Sequence, residues 1–381
     1  MTGDRNGDGG ERHGDRSAPI DFMRAAAIVA VVVIHAWGPS TEVTPERGPV
    51  QAAFFCLFVC GSWWAVPGFF FLSGLLLTQR TEFPTWSERF AWLRKRGTRL
   101  LPPYLFWSAL SLIAAGETGP LTVVRSLVTG TASYQMYFVV ALVQAYVLWW
   151  LTMPWLSRQK PGRQKLALYG CLAVTFVTHL WRWSYLDAVE TDRYEWLRAT
   201  VLPWIGYFAF GCLVALRSGA AGPAAALHGM IERRPAARRV QLFVAGLFAL
   251  IQLALIVTQE ATYQGPHRDD PYSTALKPPY ALLMLFVVVA LSEWCEARAG
   301  PRSRRFATAL ARDSYGIYLC HVLVMQLLAG HVYLRLAGLS LPMELAYRVL
   351  GLTVTLGVSW GLVRLLSLVP GVRWVAGAES R

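Results

Sequence analysis

The stretch PIDFMRAAAIVAVVVIHAW, residues 19–37, decides the fold of this chain. Its only ionisable side chains are Asp21, Arg24 and His35, and the ten residues between Arg24 and His35 are all Ala, Ile or Val. An α-helix rises about 1.5 Å per residue, so about twenty apolar residues cross the hydrocarbon core of a bilayer. The stretch therefore predicts a membrane-spanning helix.

Nine further apolar segments follow along the 381-residue chain. With the first, they lie near residues 19–38, 52–78, 101–116, 134–152, 166–182, 200–217, 240–258, 276–293, 313–329 and 345–366. Hydrophobic residues make up 55% of the chain and charged residues 15%, whereas a soluble domain carries about 25% charged residues. This composition excludes a soluble multidomain enzyme, a coiled coil and a disordered protein. It predicts an all-α polytopic protein with about ten transmembrane helices, multi-pass in the plasma membrane.

The positive charges are distributed unevenly between the predicted loops. With the N-terminus in the cytoplasm, 26 of the 36 Lys and Arg residues fall on the inner side and 8 on the outer side, counting residues at segment ends with the adjoining loop. The positive-inside rule predicts this asymmetry, and an even number of spans returns the C-terminus to the cytoplasm. The net charge of +13 is therefore an orientation signal within a lipid bilayer and does not indicate nucleic-acid binding.

The segments also define the domain organisation. We expect residues 1–18, which are Gly-rich and mixed in charge, to be a disordered cytoplasmic tail. Residues 19–366 would form the ten-helix membrane domain and residues 367–381 a cytoplasmic tail. A cleaved signal peptide at 19–38 is disfavoured, because the preceding residues are not clearly cationic and the apolar run is too long. No loop exceeds roughly twenty residues, so any chemistry lies within the bundle.

The cysteines indicate neither a disulfide framework nor a metal site. They lie in or at the edge of apolar segments: Cys56, Cys60, Cys171, Cys212, Cys295 and Cys320. No Cys/His set has zinc-site spacing, and no outer loop contains a cysteine pair. We expect small buried apolar side chains, no structural disulfide and no bound metal.

Arg24 and His35 lie on one face of the first predicted helix. Their eleven-residue separation corresponds to three turns plus about 20°, and it places the two side chains about 16 Å apart along the axis. Each alone has a plain alternative, since Arg24 can snorkel to inner headgroups and His35 can sit in the outer interface. As a pair they favour function. A guanidinium suits a phosphate or carbonyl oxygen, and an imidazole is suited to proton transfer near neutral pH.

The second and third segments carry two further features. Pro67-Gly68 predicts a break within segment 52–78, followed by Ser73-Gly74. A proline leaves one backbone carbonyl without its helical hydrogen bond, which a membrane helix tolerates where that carbonyl is buried in protein or faces a water-filled cavity. The alternative is a simple kink with small-residue packing at Gly74. The run RFAWLRKRGTRLLPPY, residues 89–104, is the densest basic stretch of the chain. It is an orientation signal that is also well placed to bind a polyphosphate.

Together these motifs resemble acyltransferase family 3, a family of integral membrane proteins, over nearly the whole chain. The resemblance rests on the Arg24–His35 pair preceded by Asp21, on FFFLSG at 69–74, on Arg96 and Arg99 followed by Leu-Leu-Pro-Pro, on WIGYFAFGCLV at 204–214, and on DSYGIYLCHVLV at 313–324. The start of the fourth segment, Gln135-Met136-Tyr137-Phe138, departs from the family's His-Leu-Trp-Phe-like pattern. No residue of the fourth segment is therefore taken over as catalytic, and the role of this segment stays open.

The resemblance implies a function and a set of site residues. Family members transfer an acyl group from cytoplasmic acyl-coenzyme A to hydroxyls, mostly of sugars at the outer face. It implies acyl-coenzyme A as co-substrate, with acetyl-coenzyme A as the default and no permanently bound cofactor. It implies a carbohydrate, glycolipid or glycosylated small molecule as acceptor. The implied catalytic residues are His35 and Arg24, and the implied donor site is the pair Arg96 and Arg99, to which we add the neighbouring positive charges of Arg94 and Lys95. The implied substrate contacts are Ser73, Ser314, Tyr315, Tyr318 and His321.

Several alternatives stay open at this point. His321 is either a structural hydrogen-bonding residue or a catalytic one, and an acyl-histidine intermediate is neither indicated nor excluded. The loop at residues 183–199 combines aromatic and acidic side chains, which fit either a sugar contact or an interfacial aromatic belt. A secondary transporter or flippase would also contain intramembrane Arg and His. The absence of half-to-half sequence symmetry disfavours that class.

Overall fold

The computed structural model describes residues 18–38, 48–78, 85–185, 197–219, 222–231, 235–262, 276–332 and 338–377. Within these ranges the regular structure is helical, and no strand occurs. The predicted tail up to residue 17 and the acidic part of the loop at 183–199 lie outside the described residues. The predicted all-α fold is confirmed for the described chain.

The helices that build the bundle have the following bounds. They are α1 (Ala18–Trp37), α2 (Gly48–Gly61), α3 (Ala65–Leu77), α4 (Trp86–Ala114), α5 (Pro120–Thr129), α6 (Tyr137–Leu156), α7 (Pro161–Tyr185), α8 (Ile205–Ser218), α9 (Gly222–Met230), α10 (Pro235–Thr262), α11 (Lys277–Arg298), α12 (Pro301–Val332), α13 (Leu341–Leu368) and the 3₁₀-helix η1 (Arg373–Ala376).

Each of the ten predicted apolar segments overlaps one or two of these helices. Six helical stretches of the described chain are long and apolar enough to cross a membrane by themselves: α1, α2 with α3, α6, residues 235–255 of α10, α11 and α13. The broken pair α8 and α9 would add a seventh. The chain is therefore a helical, multi-pass membrane protein, and the count of ten spans stays a prediction.

Helix α1 lies at the centre of the bundle. It contacts α2, α3, α11, α12 and α13, and eleven of its twenty residues are buried. Small side chains such as Ala27 and Ala30 allow neighbouring helices to approach its axis closely. A side chain on α1 can therefore meet residues from several distant parts of the sequence.

The break in the second apolar segment lies one turn before the predicted position. Helix α2 ends at Gly61 and α3 begins at Ala65, so Pro67 occupies the first turn of α3. A proline is tolerated in a first turn, whose backbone N–H groups have no intrahelical partner, but its ring would clash with the carbonyl four residues earlier. The disruption therefore falls at residues 62–64, which form a turn.

Glycines allow α3 and α8 to pack against each other's backbone. A methyl group added at Gly74 would overlap the carbonyl oxygen of Phe208, and one added at Gly211 would overlap that of Phe71. Phe70 stacks on Trp204 beside this contact, with ring centroids 5.5 Å apart. The second predicted motif and the sixth-segment motif thus meet in space, and small-residue packing is the role that the structure gives to Gly74.

Replacing Gly211 by alanine is expected to destabilise the protein by about 1–3 kcal/mol, because the new methyl group must push α3 and α8 apart. The measurement is the thermal midpoint and the monodisperse fraction in detergent. Gly246→Ala is the matched control, since no atom lies within 4 Å of the added methyl group on α10. Equal midpoints for the two variants would contradict the close packing.

Helix α4 joins the basic run and the short third segment into one helix. The Thr85 hydroxyl caps its start by accepting from the Glu88 backbone N–H at 3.2 Å. The helix then continues for 29 residues through Pro102 and Pro103. Its far half holds η1, because the indole of Trp107 donates to the Val375 carbonyl at 3.0 Å. Residues of the predicted C-terminal tail therefore pack against the bundle.

Candidate active site

His35, near the end of α1, lies in a cluster of rings from three parts of the chain. Its ring centroid is 4.7 Å from that of Tyr134, which precedes α6, and 5.2 Å from that of His321 on α12. Tyr134 is 37% exposed and His321 is fully buried. The cluster therefore runs from the protein surface into the core, with His35 in the middle.

The hydrogen bonds of His321 determine its tautomer. Its Nδ1 lies 2.7 Å from the carbonyl oxygen of Tyr318 and 3.2 Å from that of Ile317. Carbonyl oxygens only accept, so Nδ1 carries a hydrogen, and in the neutral ring Nε2 is then the acceptor. This Nε2 is buried and has no hydrogen-bond partner among the described residues.

Residues before α6 form a wall of this cluster. The Tyr318 hydroxyl donates to the Gln135 carbonyl at 2.5 Å, and the Gln135 amide donates to the Leu319 carbonyl at 3.4 Å. The start of the fourth segment, from which no candidate residue was taken, therefore contributes Tyr134 and Gln135 to the surroundings of His35. The available signal was Gln135, a polar residue at the start of an apolar run that is now seen fully buried.

A buried ion pair fixes the same end of α1. On α13, the Arg348 guanidinium lies 3.4 Å from the Glu344 carboxylate, and the two side chains are 5% and 1% exposed. Arg348 also donates to the Ala36 carbonyl at 3.0 Å, while the Trp37 indole donates to the Arg348 carbonyl at 3.1 Å. Gln51 donates to the other oxygen of Glu344. A cation at a helix C-terminus stabilises its carbonyls, so this pair holds the turn that carries His35.

Arg198 lies on another side of the cluster. Its guanidinium carbon is 4.5 Å from the centre of the Tyr137 ring, and its charge interacts with His35. Gln144 of α6 holds the neighbouring backbone by donating to the Ala199 carbonyl at 2.9 Å and accepting from the Val201 N–H at 3.0 Å. Arg198 is a residue that the sequence analysis did not identify.

Of the other predicted site residues, Arg24 lies three turns from His35 on the continuous helix α1. At that end, Asp21 accepts a hydrogen bond from the Thr308 hydroxyl of α12 at 2.7 Å. Helices α1 and α12 therefore run side by side from the Arg24 end to the His35 end.

The predicted substrate contacts lie in three places. Tyr318 and His321 lie in the His35 cluster. Ser314 donates to the Ala311 carbonyl at 2.8 Å and Tyr315 to the Leu100 carbonyl at 2.7 Å, so both hydroxyls have partners within the protein nearer the start of α12. Ser73 is half-buried on α3, beside the close contact with α8.

The predicted donor-site residues lie along the first half of α4. Arg94, Lys95 and Arg99 are exposed, and Arg96 is half-buried with its guanidinium carbon 5.5 Å from the Trp92 ring centre. Arg89 differs, because its guanidinium donates to the Trp150 carbonyl and ties α4 to α6. Leu100, the residue after Arg99, accepts the Tyr315 hydrogen bond, so the last basic residue of the run lies near Tyr315, on the Arg24 side of His321.

A comparison with known protein families gives a match that includes the helices of this site. A family model described as an acyltransferase domain matches residues 18–364, which extend from α1 into α13. The chain belongs to acyltransferase family 3. No curated protein and no solved structure gives a significant match. This family 3 member is therefore a multi-pass membrane acyltransferase, and the match includes His35, Tyr134, His321 and the basic run of α4.

The described part of this acyltransferase contains no group of three His, Cys, Asp or Glu side chains that could hold a metal ion. All six cysteines are free thiols, and the Sγ atoms of Cys56 and Cys60 are 3.2 Å apart on one face of α2.

Proposed function

We propose that this acyltransferase moves an acyl group, by default acetyl, from cytoplasmic acyl-coenzyme A to a hydroxyl of a carbohydrate or glycosylated acceptor at the outer face of the plasma membrane. Ten spans with cytoplasmic termini are part of the proposal, and they place the Arg24 end of α1 inside and the His35 end outside. No cofactor is bound permanently. The ring cluster of His35, Tyr134 and His321 is the observation that carries it.

The separation of the two ends of α1 supports this arrangement. Exposed basic residues of α4 lie towards the Arg24 end, where a guanidinium can bind the phosphates of coenzyme A bidentately. The imidazole cluster lies about 16 Å from Arg24 along the axis of α1, at the end where Tyr134 reaches the protein surface. The pantetheine arm would run along α1 between them and carry the thioester to His35.

His35 is the general base of the proposed reaction. It takes the proton of the acceptor hydroxyl as the hydroxyl oxygen attacks the thioester carbonyl carbon. The new C–O bond forms, the C–S bond breaks, and the proton passes to the departing thiolate of coenzyme A. Arg24 stays charged throughout and binds the donor along the same face of α1.

Proteoliposomes supplied with labelled acetyl-coenzyme A on one side and a panel of methyl glycosides on the other test this function. We expect labelled ester on the glycoside side when the donor faces the α4 basic run. Solute uptake without thioester cleavage would indicate the competing class, a secondary transporter. Ester formed only when both substrates share one side would contradict the transmembrane arrangement.

Replacing Arg96 and Arg99 together by alanine is expected to raise the dissociation constant for coenzyme A by about 10–100-fold, because each lost charge-assisted contact weakens binding. Isothermal titration of the purified protein measures it. Added salt should weaken coenzyme A binding more in the wild-type protein than in the double variant, because the two arginine side chains are in contact with solvent.

Arg163→Ala with Lys165→Ala is the matched control, because both residues are exposed and belong to an inner loop in the proposed topology. It removes the same charge outside α4. An unchanged dissociation constant in the α4 double variant would remove the donor-site assignment.

A further inference from the structure

His321 holds a hydrogen-bond acceptor that the fold itself does not use. Its ring is fully buried, its Nδ1–H is directed at two backbone carbonyls, and its Nε2 has no partner among the described residues. Leaving a buried polar atom unpaired costs about 1–3 kcal/mol. Such an atom beside a reactive side chain indicates a group that binds there.

The geometry limits what that group is. The ring of His321 lies 5.2 Å from that of His35. A hydroxyl carries one hydrogen and can donate it to one imidazole only. When His35 takes the hydrogen of the reacting hydroxyl, Nε2 of His321 requires a different donor at a short distance from the first.

We propose that Nε2 of His321 accepts a hydrogen bond from a second hydroxyl of the acceptor, next to the hydroxyl that His35 deprotonates. His321 is then a catalytic-site residue that selects diols, the pattern that neighbouring carbons of a sugar ring present. Water fits the same pair of imidazoles, because it carries two hydrogens. This inference rests on the proposed acyl transfer and on His35 as its base.

Two amide variants separate this role from a structural one. Asparagine places its amide where Nδ1 lies, so His321→Asn keeps a donor for the Tyr318 carbonyl and removes the Nε2 acceptor. Glutamine places its amide oxygen near the Nε2 position, so His321→Gln keeps the acceptor and removes the Nδ1 donor. A structural His321 would tolerate Asn better than Gln, and the proposed role predicts the reverse order.

The assay measures acetyl-coenzyme A turnover with propane-1,2-diol, with propan-1-ol and with water alone as acceptors. These probes are small and differ by the second hydroxyl. We expect the wild-type protein to favour the diol about tenfold, the value of one hydrogen bond. His321→Asn should lose that preference and hydrolyse the thioester about tenfold more slowly, while His321→Gln stays within about threefold of wild type.

The outcomes are distinct. Wild-type rates in His321→Asn, or a diol preference that survives in it, would overturn the inference and leave acyl transfer intact. If the wild-type protein cleaves no thioester with these probes or with the methyl glycosides, the proposed function fails, and this inference fails with it. Where neither alcohol reacts but water does, the hydrolysis rates of the two variants decide. Coenzyme A affinity and the thermal midpoint check that both variants are folded. If a variant fails this check, the wild-type comparison decides: a preference for propane-1,2-diol over propan-1-ol supports the inference, and equal turnover of the two alcohols overturns it.

Discussion

His35→Ala protein is expected to insert, fold and bind coenzyme A, yet to transfer acyl groups about 10²–10⁴-fold more slowly than wild type, the usual range for loss of an acid–base group. The structure supports this separation of folding from turnover. His35 is only partly buried, and its ring contacts are with Tyr134, which is itself exposed, and with His321. The measurement is turnover at saturating donor and acceptor.

Three companion variants make the test specific. His35→Gln should fare no better than alanine, because an amide accepts a hydrogen bond but does not take up the proton. Arg24→Lys should also be impaired, since an ammonium does not reproduce the planar fork of a guanidinium; a snorkelling arginine would tolerate that change. His228→Ala is the control for losing an imidazole, since His228 is exposed and pairs with Glu293 on α11. Near-wild-type turnover of His35→Ala would refute the proposed mechanism.

Arg348→Met is expected to destabilise the protein by about 3–5 kcal/mol, because it leaves the Glu344 carboxylate buried without its cation. The 1% exposure of Glu344 gives that charge no access to solvent. The variant also removes the bond to the Ala36 carbonyl, so the turn carrying His35 loses its clamp. The thermal midpoint and the monodisperse fraction in detergent report the effect.

The double variant Glu344→Gln with Arg348→Met is the matched control. Removing both charges is far less costly than removing one, so it should recover much of the lost stability. Its acyl transfer should remain below wild type, because neither substitution restores the bond to Ala36. A single Arg348→Met variant as stable as wild type would show that the buried pair does not hold this end of the bundle.

Local patterns were sufficient for four of the helices. Apolar length predicted α1, α6, α11 and α13 within a few residues, because hydropathy and helical rise are properties of a single segment. They were insufficient at the second segment, where Pro67 indicated a break but the turn lies at residues 62–64. They also predicted only the apolar second half of α4, because its basic first half is too polar to belong to a membrane span. One continuous helix includes both halves.

The sequence by itself determined a polytopic helical protein with Arg24 and His35 on one face of its first helix, since helix periodicity sets which residues of one segment share a face. Only the tertiary structure decided that His35 meets His321 and Tyr134, and that Arg348 binds the carbonyl beside it. The physical reason is that membrane-spanning helices pack against each other through complementary shape, small residues and a few buried hydrogen bonds. All spans are similarly apolar, so hydropathy does not predict which helices pack together.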